Sequence, residues 1–300
     1  MHYRIQCARG SYLDADRMAL LSHLFRLCFR FAWLSAELLL AAFAYIPAVM
    51  LRSAECRLRL RAHWLQKSCR RVLRVLNVEV DAHGPVPTSG LLVCNHLSYL
   101  DILVLGSLTP AVFVAKREVK HWPVFGWFAA LAGTIFVDRE RRTQSGRAAE
   151  RIEAVLEGGQ LIVLFPEGTS SDGKTVLPFK SSLLVPATNR TRPLSAGALR
   201  YNIEHGDVAR EVCYWKDMTF FPHLLNLVTM DHILARVCLL KIEGATACRK
   251  ALARQLQSEV SQLNATFSRM GRANARAPMT STRVPCLGIR PGSSKSAAQG

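Results

Sequence analysis

A chain of 300 residues, half of them hydrophobic, is long enough for one large domain or two small ones around a sizeable core. The formal net charge of +17 directs this apolar chain towards an anionic partner, either nucleic acid or the anionic leaflet of a membrane. Nine scattered cysteines, with no C-x-x-C pair and no zinc-like spacing to histidine, speak against a disulfide framework or a metal site and suit reduced thiols in a cytoplasmic setting.

Residues 1–17 are polar and mixed, and no structure is assigned to them. A membrane-associated helical region is expected over 18–77. Within it, Phe31 to Leu51 is apolar and bounded by Arg30 and Arg52. At about 1.5 Å per residue such a stretch covers roughly the 30 Å of a hydrocarbon core. Glu37 and Pro47 oppose a simple span. A mid-bilayer carboxylate costs about 2.5–3.5 kcal/mol, whereas each Leu, Phe, Ile or Val recovers about 0.3–0.6, so insertion is marginal. A tilted, re-entrant or half-buried helix is the rival reading. The late start and the lack of a small-residue cleavage site argue against a cleavable signal peptide. Arg52, Arg57, Arg59, Arg61, Lys67, Arg70 and Arg71 follow the stretch, against Arg17, Arg26 and Arg30 before it, which places the rest of the chain on the cytoplasmic side. Residues 55–77 form a basic amphipathic pattern suited either to an anionic bilayer surface or to a solvated helix packed on the domain. No recognised nucleic-acid module accompanies these charges, so no nucleic-acid partner is expected.

From residue 78 the pattern alternates. Strands are predicted over 77–81, 90–94, 111–115, 133–137 and 160–165, a helix starts near Ser98, and another runs over 143–157 to Gly158-Gly159. Lys116 to Leu131 reads as a loop and short helix carrying Trp122, Phe125 and Trp127. The expected fold is α/β over 78–270, a mixed, largely parallel sheet flanked by helices.

Where the 90–94 strand ends stands Asn95-His96-Leu97-Ser98-Tyr99-Leu100-Asp101. Residues five apart on one helix point about 140° apart, so His96 and Asp101 meet only if His96 lies in the preceding loop and Asp101 in the first helical turn. Asp101 would then hold one ring nitrogen and leave the other free as a base. Ser98-x-x-Asp101 also fits a helix capping box, with both side chains satisfying backbone N–H groups. At the end of the 160–165 strand comes Phe165-Pro166-Glu167-Gly168-Thr169-Ser170-Ser171-Asp172-Gly173. Ligands of open α/β sheets gather at such carboxyl ends, so His96 and Glu167 can share a crevice. The N–H and hydroxyl groups after Gly168 suit an oxyanion, and equally suit a plain surface turn.

His96-x-x-x-x-Asp101 followed by Phe165-Pro166-Glu167-Gly168-Thr169 resembles the first and third motifs of the glycerolipid and lysophospholipid acyltransferases. Ala115-Lys116-x-Glu118 with Pro123, Gly126 and Phe136-Val137-Asp138-Arg139 is similar to an intermediate motif, and Leu177-Pro178-Phe179-Lys180-Ser181-Ser182 to a fourth. The likeness covers roughly 75–205. It implies O-acyl transfer from acyl-CoA or acyl carrier protein to a lysolipid hydroxyl, with the donor as co-substrate and no further cofactor. His96 would be the base, oriented by Asp101. Glu167, Gly168 and Thr169 would line the acceptor site, with Lys116 and Arg139 as anion partners. The absence of a G-x-S-x-G elbow argues against an α/β-hydrolase mechanism. The first acceptor implied is 1-acylglycerol-3-phosphate, giving phosphatidate. Many phosphatidate-forming members carry Arg after Glu-Gly-Thr, where this chain has Ser170, and the Ser form resembles enzymes that complete ornithine lipids. Lyso-ornithine lipid is therefore the alternative acceptor, and a non-catalytic lipid-binding protein of the same fold the alternative class. The expected location is the cytoplasmic face of a membrane, as in a bacterial inner membrane.

Beyond residue 205, Phe220 to Leu225 suggests a core helix or a membrane-facing element, 237–242 a late strand and 246–266 a final amphipathic helix. Residues 271–300 are rich in Gly, Ser, Ala and Arg and are expected to be disordered.

Overall fold

The computed structural model describes residues 6–50, 54–137, 142–189 and 191–274. Two helices come first, α1 (Gln6–Met50) and α2 (Ala54–Val75). Then follow β1 (Val78–His83), β2 (Gly90–Cys94), α3 (Leu100–Leu108) and β3 (Ala111–Lys116). Next are α4 (Phe125–Leu131), β4 (Ile135–Val137), α5 (Arg142–Glu157) and β5 (Leu161–Leu164). The chain continues through β6 (Leu194–Asn202), α6 (Val208–Glu211), α7 (Phe220–Thr229), β7 (Ile233–Lys241) and α8 (Arg249–Asn274).

The seven strands form one sheet in the order β1-β7-β6-β2-β5-β3-β4. Strands β6, β2, β5, β3 and β4 run parallel, while β7 lies antiparallel to β6 and carries β1 parallel beside it. The sheet is thus mixed and largely parallel, as expected. Central β2 (GLLVC) and β5 (LIVL) are buried throughout, which a parallel sheet covered on both faces requires. Val72, Leu73, Leu100, Val104 and Leu227 of α2, α3 and α7 cover one face. Ile152, Val155, Leu252, Leu256 and Val260 of α5 and α8 cover the other.

Strand β6 has no counterpart in the sequence reading. Its centre is Ala196-Gly197-Ala198, small residues of weak strand propensity, and their size is what the packing needs. A Cβ on Gly197 would come within 3.1 Å of the Leu239 side chain and 3.4 Å of Leu92.

The N-terminal boundaries also differ. Helix α1 already runs from Gln6, so residues 6–17 are helical, and among the described residues its membrane-length apolar window is Leu24–Tyr45; Leu51 of the expected stretch lies outside the described residues. Helix α8 extends to Asn274, so 271–274 are ordered; the rest of the expected tail lies outside the described residues. Leu34, Ala41 and Tyr45 of α1 turn towards the domain, whereas Phe25, Phe29, Leu39, Leu40 and Phe43 face outwards, Phe25 and Phe43 being 74% and 76% exposed. One end of the window is fastened by Arg30, whose Nη1 donates to the Val228 and Met230 carbonyls at the end of α7 (3.0 and 2.5 Å). At the other end Trp64 of α2 donates Nε1–H to Ala41 O (2.8 Å), meets Tyr45 edge-on and stacks on Phe128. Glu37 accepts from Trp33 Nε1 (3.3 Å) and lies 3.7 Å from Arg71, turned away from the apolar outer face.

Candidate active site

The site is assembled where β2 ends. Buried Asn95 continues the strand with its side chain: Oδ1 accepts from Leu199 N (2.8 Å) and Nδ2 donates to Leu199 O (3.0 Å). The chain then turns through His96 to Tyr99 and enters α3 at Leu100, which puts Asp101 in the first turn. Asp101 is fully buried, and four donors converge on it. His96 Nδ1 (2.7 Å), Leu97 N (2.6 Å) and Ser98 N (3.0 Å) meet Oδ2, while the Tyr201 hydroxyl donates to Oδ1 (2.6 Å). A carboxylate accepting so many donors is ionised, so Nδ1 carries the imidazole proton and Nε2 holds the lone pair. The ring stacks on Phe165 at a centroid distance of 4.2 Å, yet the side chain stays 21% exposed and open to a substrate.

The expected capping box forms by half. Asp101 reaches back to the Ser98 N–H, but Ser98 Oγ is buried without a partner and the helix's N-cap, Tyr99, makes no side-chain cap bond. The Asp101 N–H that the serine hydroxyl would have served donates instead to the Ser98 carbonyl (3.1 Å).

At the neighbouring strand end, the turn after β5 needs Gly168 in the left-handed region (φ +74°). Glu167 is 2% exposed, and its Oε1 accepts from His96 N (3.3 Å). Burial pushes this carboxyl from 4.5 to about 8; the His96 amide opposes the rise, the Asp101 charge adds to it, and the Leu177 amide opposes it. Ser171 N donates back to His96 O (3.0 Å), so the two motif loops are stitched together at His96.

A third segment closes the site. Ser170 Oγ donates to Tyr214 O, and Tyr214 N donates to Leu97 O (2.9 Å). Tyr214 packs 5.4 Å from Tyr99 within an aromatic wall that includes Trp122, Phe125 and Phe220. The Tyr99 hydroxyl donates to His223 Nδ1 (2.9 Å), and His223 Nε2–H donates to Cys213 O (3.1 Å). Burial lowers the His223 pKa, in keeping with a neutral ring that accepts at one nitrogen and donates at the other.

Of the residues singled out from sequence, His96, Asp101, Glu167 and Gly168 are thus brought together. Thr169 is exposed beside them at the rim. Lys116 ends β3 on the same carboxyl edge, but its exposed ammonium lies 3.0 Å from Glu118. Lys180 contributes its backbone N–H to Pro166 O (2.8 Å) while its side chain is exposed. Arg139 lies outside the described residues. Tyr201, Tyr214 and His223 escaped the sequence reading because they stand 100 residues or more from Asp101 or Tyr99 and carry no local motif. Among the described residues, no group of three or more His, Cys, Asp and Glu is placed to hold a metal ion. Chemically, the arrangement offers an accessible imidazole base backed by a buried carboxylate, beside a neutral carboxyl.

Comparisons with known proteins agree with this geometry. The family model described as acyltransferase matches residues 77–194. A lyso-ornithine lipid O-acyltransferase of Rhizobium meliloti is 38% identical over 180 residues, 55% of this chain and 60% of that protein. Its counterpart in Brucella abortus is 38% identical over 58% of this chain and 70% of the relative. A 1-acyl-sn-glycerol-3-phosphate acyltransferase of Neisseria meningitidis is 35% identical over 49% of this chain and 62% of its own length. The chain thus spans less than two thirds of the Rhizobium and Neisseria relatives. The crystal structure of the 1-acyl-sn-glycerophosphate acyltransferase PlsC from Thermotoga maritima superposes with a TM-score of 0.60 at 19% identity, covering 83% of this chain and 97% of that one. The fold is therefore shared with that protein.

Proposed function

The chain belongs to the acyltransferase family, and from that premise we propose that it moves a fatty acyl group from an acyl thioester to the hydroxyl of a lysolipid. The observation that carries the reading is the His96–Asp101 pair: Nδ1 is held at 2.7 Å and Nε2 is left as an accessible base at the sheet's carboxyl edge. Nε2 takes the acceptor hydroxyl's proton as its oxygen bonds to the thioester carbonyl carbon. Collapse of the tetrahedral intermediate breaks the C–S bond, and the imidazolium returns the proton to the departing thiolate. Asp101 stabilises the imidazolium, and positioned base catalysis of this kind contributes roughly 10²–10⁴ in rate. No covalent acyl-enzyme is needed.

For the acceptor, 1-acylglycerol-3-phosphate and lyso-ornithine lipid are the two readings, and one observation favours the second. Ser170 stands where many phosphatidate-forming members carry Arg, and its hydroxyl is committed to the Tyr214 carbonyl rather than offered to a phosphate. The names of the Rhizobium and Brucella relatives point the same way. The donor is acyl-CoA or acyl carrier protein.

The protein acts at a membrane, on its cytoplasmic face. Both ends of the Leu24–Tyr45 window are tied to the domain and Glu37 is turned to Arg71, which favours a helix half-buried along the interface over a perpendicular span. Exposed Arg57, Arg59, Lys67, Arg70 and Arg74 on the adjacent α2 suit anionic headgroups.

The deciding experiment offers purified protein a panel of lysolipids, with one acyl-CoA and one acyl carrier protein donor, and follows thiol release and acylated product. Thioester-dependent acylation of lyso-ornithine lipid above 1-acylglycerol-3-phosphate is expected. Lipid binding without thiol release would make the protein a non-catalytic member of its fold.

A further inference from the structure

We propose that Tyr201 is a positioning residue for the transfer: its hydroxyl, by donating to Asp101, fixes that carboxylate and sets the basicity of His96. The kinetic part of this inference rests on the acyl-transfer reading; its effect on His96 does not.

The two oxygens of Asp101 are served unequally. Oδ2 receives His96 Nδ1 and the Leu97 and Ser98 amides, all from the same short loop. Oδ1 receives the phenol of Tyr201, 100 residues further on, at 2.6 Å. Asp101 is fully buried and Tyr201 is 2% exposed, so water does not readily take the place of that donor.

The placement of Tyr201 is over-determined. Strand β6 runs beside β2 as far as Cys94, which stands opposite Gly197. Beyond that point the ladder would end, but the two hydrogen bonds between the Asn95 side chain and Leu199 carry the pairing two residues further. On its other side β6 stays paired to β7, with Tyr201 opposite Ala235. The phenol two residues past Leu199 is thereby brought to Asp101.

Burial and the Asp101 charge hold the Tyr201 phenol well above its ordinary range, so it remains a donor at every working pH. The other titratable groups facing Asp101 are His96, Glu167 and the thiols of Cys94 and Cys213. Burial raises both thiols, and it raises Glu167 to about 8.

Removing the phenol's donor concentrates the negative charge of Asp101 on the side of His96. The imidazolium is then better stabilised, and the pKa of His96 rises. Loss of the anchor on Oδ1 also frees the carboxylate to rotate, which lowers turnover without touching substrate binding.

The test compares the full-length protein with Tyr201→Phe in detergent micelles, titrating 15N-labelled histidine by NMR and assigning His96 by its loss in His96→Gln. An upward shift of about half a pH unit or more is expected; an unchanged His96 titration overturns the proposal. In turnover, kcat should fall about tenfold with both KM values unchanged, and the acidic limb of kcat/KM should move to higher pH. Because Tyr201 acts through Asp101, Tyr201→Phe should add nothing in an Asp101→Asn background; an equal loss in both backgrounds refutes it. Should Tyr201→Phe not fold, 3-fluorotyrosine at this position gives a more acidic phenol and a stronger donor, and must shift His96 downwards. No shift with that residue overturns the idea as surely. Absence of acyl transfer by the wild-type protein would refute the function and leave the titration to decide the role of Tyr201.

Discussion

Glu167→Gln tests whether the site holds a neutral carboxyl beside its base. The carboxyl rises from 4.5 to about 8 on folding, mainly through burial. At about 1.4 kcal/mol per unit, that rise corresponds to an upper limit of about 5 kcal/mol. Below about pH 4.5 the group is protonated in both folded and unfolded chains and costs nothing. Between 4.5 and about 8 the unfolded chain releases a proton that the folded one keeps, so stability falls as pH rises; above about 8 the full cost is present. Glutamine is a neutral isostere whose carbonyl can still accept from His96 N. The variant should therefore lose this downward slope and exceed the wild type in stability at pH 8, by an amount that local relaxation keeps below the limit. Urea unfolding followed by circular dichroism at a series of pH values from about 5 to 9 measures the slope. Parallel curves for the two proteins would refute the reasoning and place an ordinary, ionised carboxylate at Glu167. Transfer activity supplies a second readout. Because Oε1 is engaged by the His96 amide, the variant should keep acceptor KM within a few-fold near neutral pH, whereas Glu167→Ala should lose turnover. A large rise in acceptor KM for glutamine would show that the acceptor needs the carboxylate charge.

Three further outcomes are expected. His96→Ala should reduce acyl transfer by about 10²–10⁴ while leaving the thermal unfolding midpoint nearly unchanged; wild-type turnover would remove His96 from the mechanism. Tyr99→Phe strands the buried Nδ1 of His223 and should cost about 1–3 kcal/mol in chemical denaturation. Burial holds His223 neutral, so in a Glu167→Gln background, where the opposing slope of Glu167 is removed, stability should fall as pH drops below 6.5, because the unfolded chain takes up a proton that the folded one refuses; a pH-independent midpoint of that variant in this range would contradict it. Replacing the exposed Phe25, Phe29 and Phe43 together by Ser should lower partition into anionic vesicles at least tenfold in a sedimentation assay, since each Phe buried in lipid contributes about 1.5–3 kcal/mol; equal partition would deny α1 its interfacial role.

The parts of the site legible in the sequence are those whose constraints are local. His96 and Asp101 announce themselves because a strand end, a turn and a first helical turn fit into seven residues, and Glu167-Gly168 because a left-handed glycine follows an apolar run. Strand β6 stayed hidden because its centre is Ala-Gly-Ala, chosen by close packing against Leu92 and Leu239 rather than by strand propensity. With β6 unseen, Tyr201 had no place to stand. The aromatic wall was unreadable for a related reason: Trp122, Tyr214 and Phe220 come together through loops whose paths are set by bonds such as Ser170 to Tyr214. The long first helix was misjudged at its start because polar residues before 18 are compatible with a helix that packing continues.

Asp101 shows why the two readings of the motif, helix start and catalytic orienter, were not rivals. A carboxylate in the first turn of a helix is favoured there by the helix dipole, and this one also reaches back to the buried Leu97 and Ser98 amides just ahead of the helix, both of which donate to Oδ2. The oxygen so anchored is the one that His96 Nδ1 approaches at 2.7 Å, and the geometry that caps the helix therefore also aims the ring. Ser98 has no capping left to do, which accounts for its unpartnered hydroxyl. Capping alone would need only one carboxylate oxygen. The second oxygen, bonded to a tyrosine from a distant strand, is the feature that a helix cap does not explain and that a finely held base does.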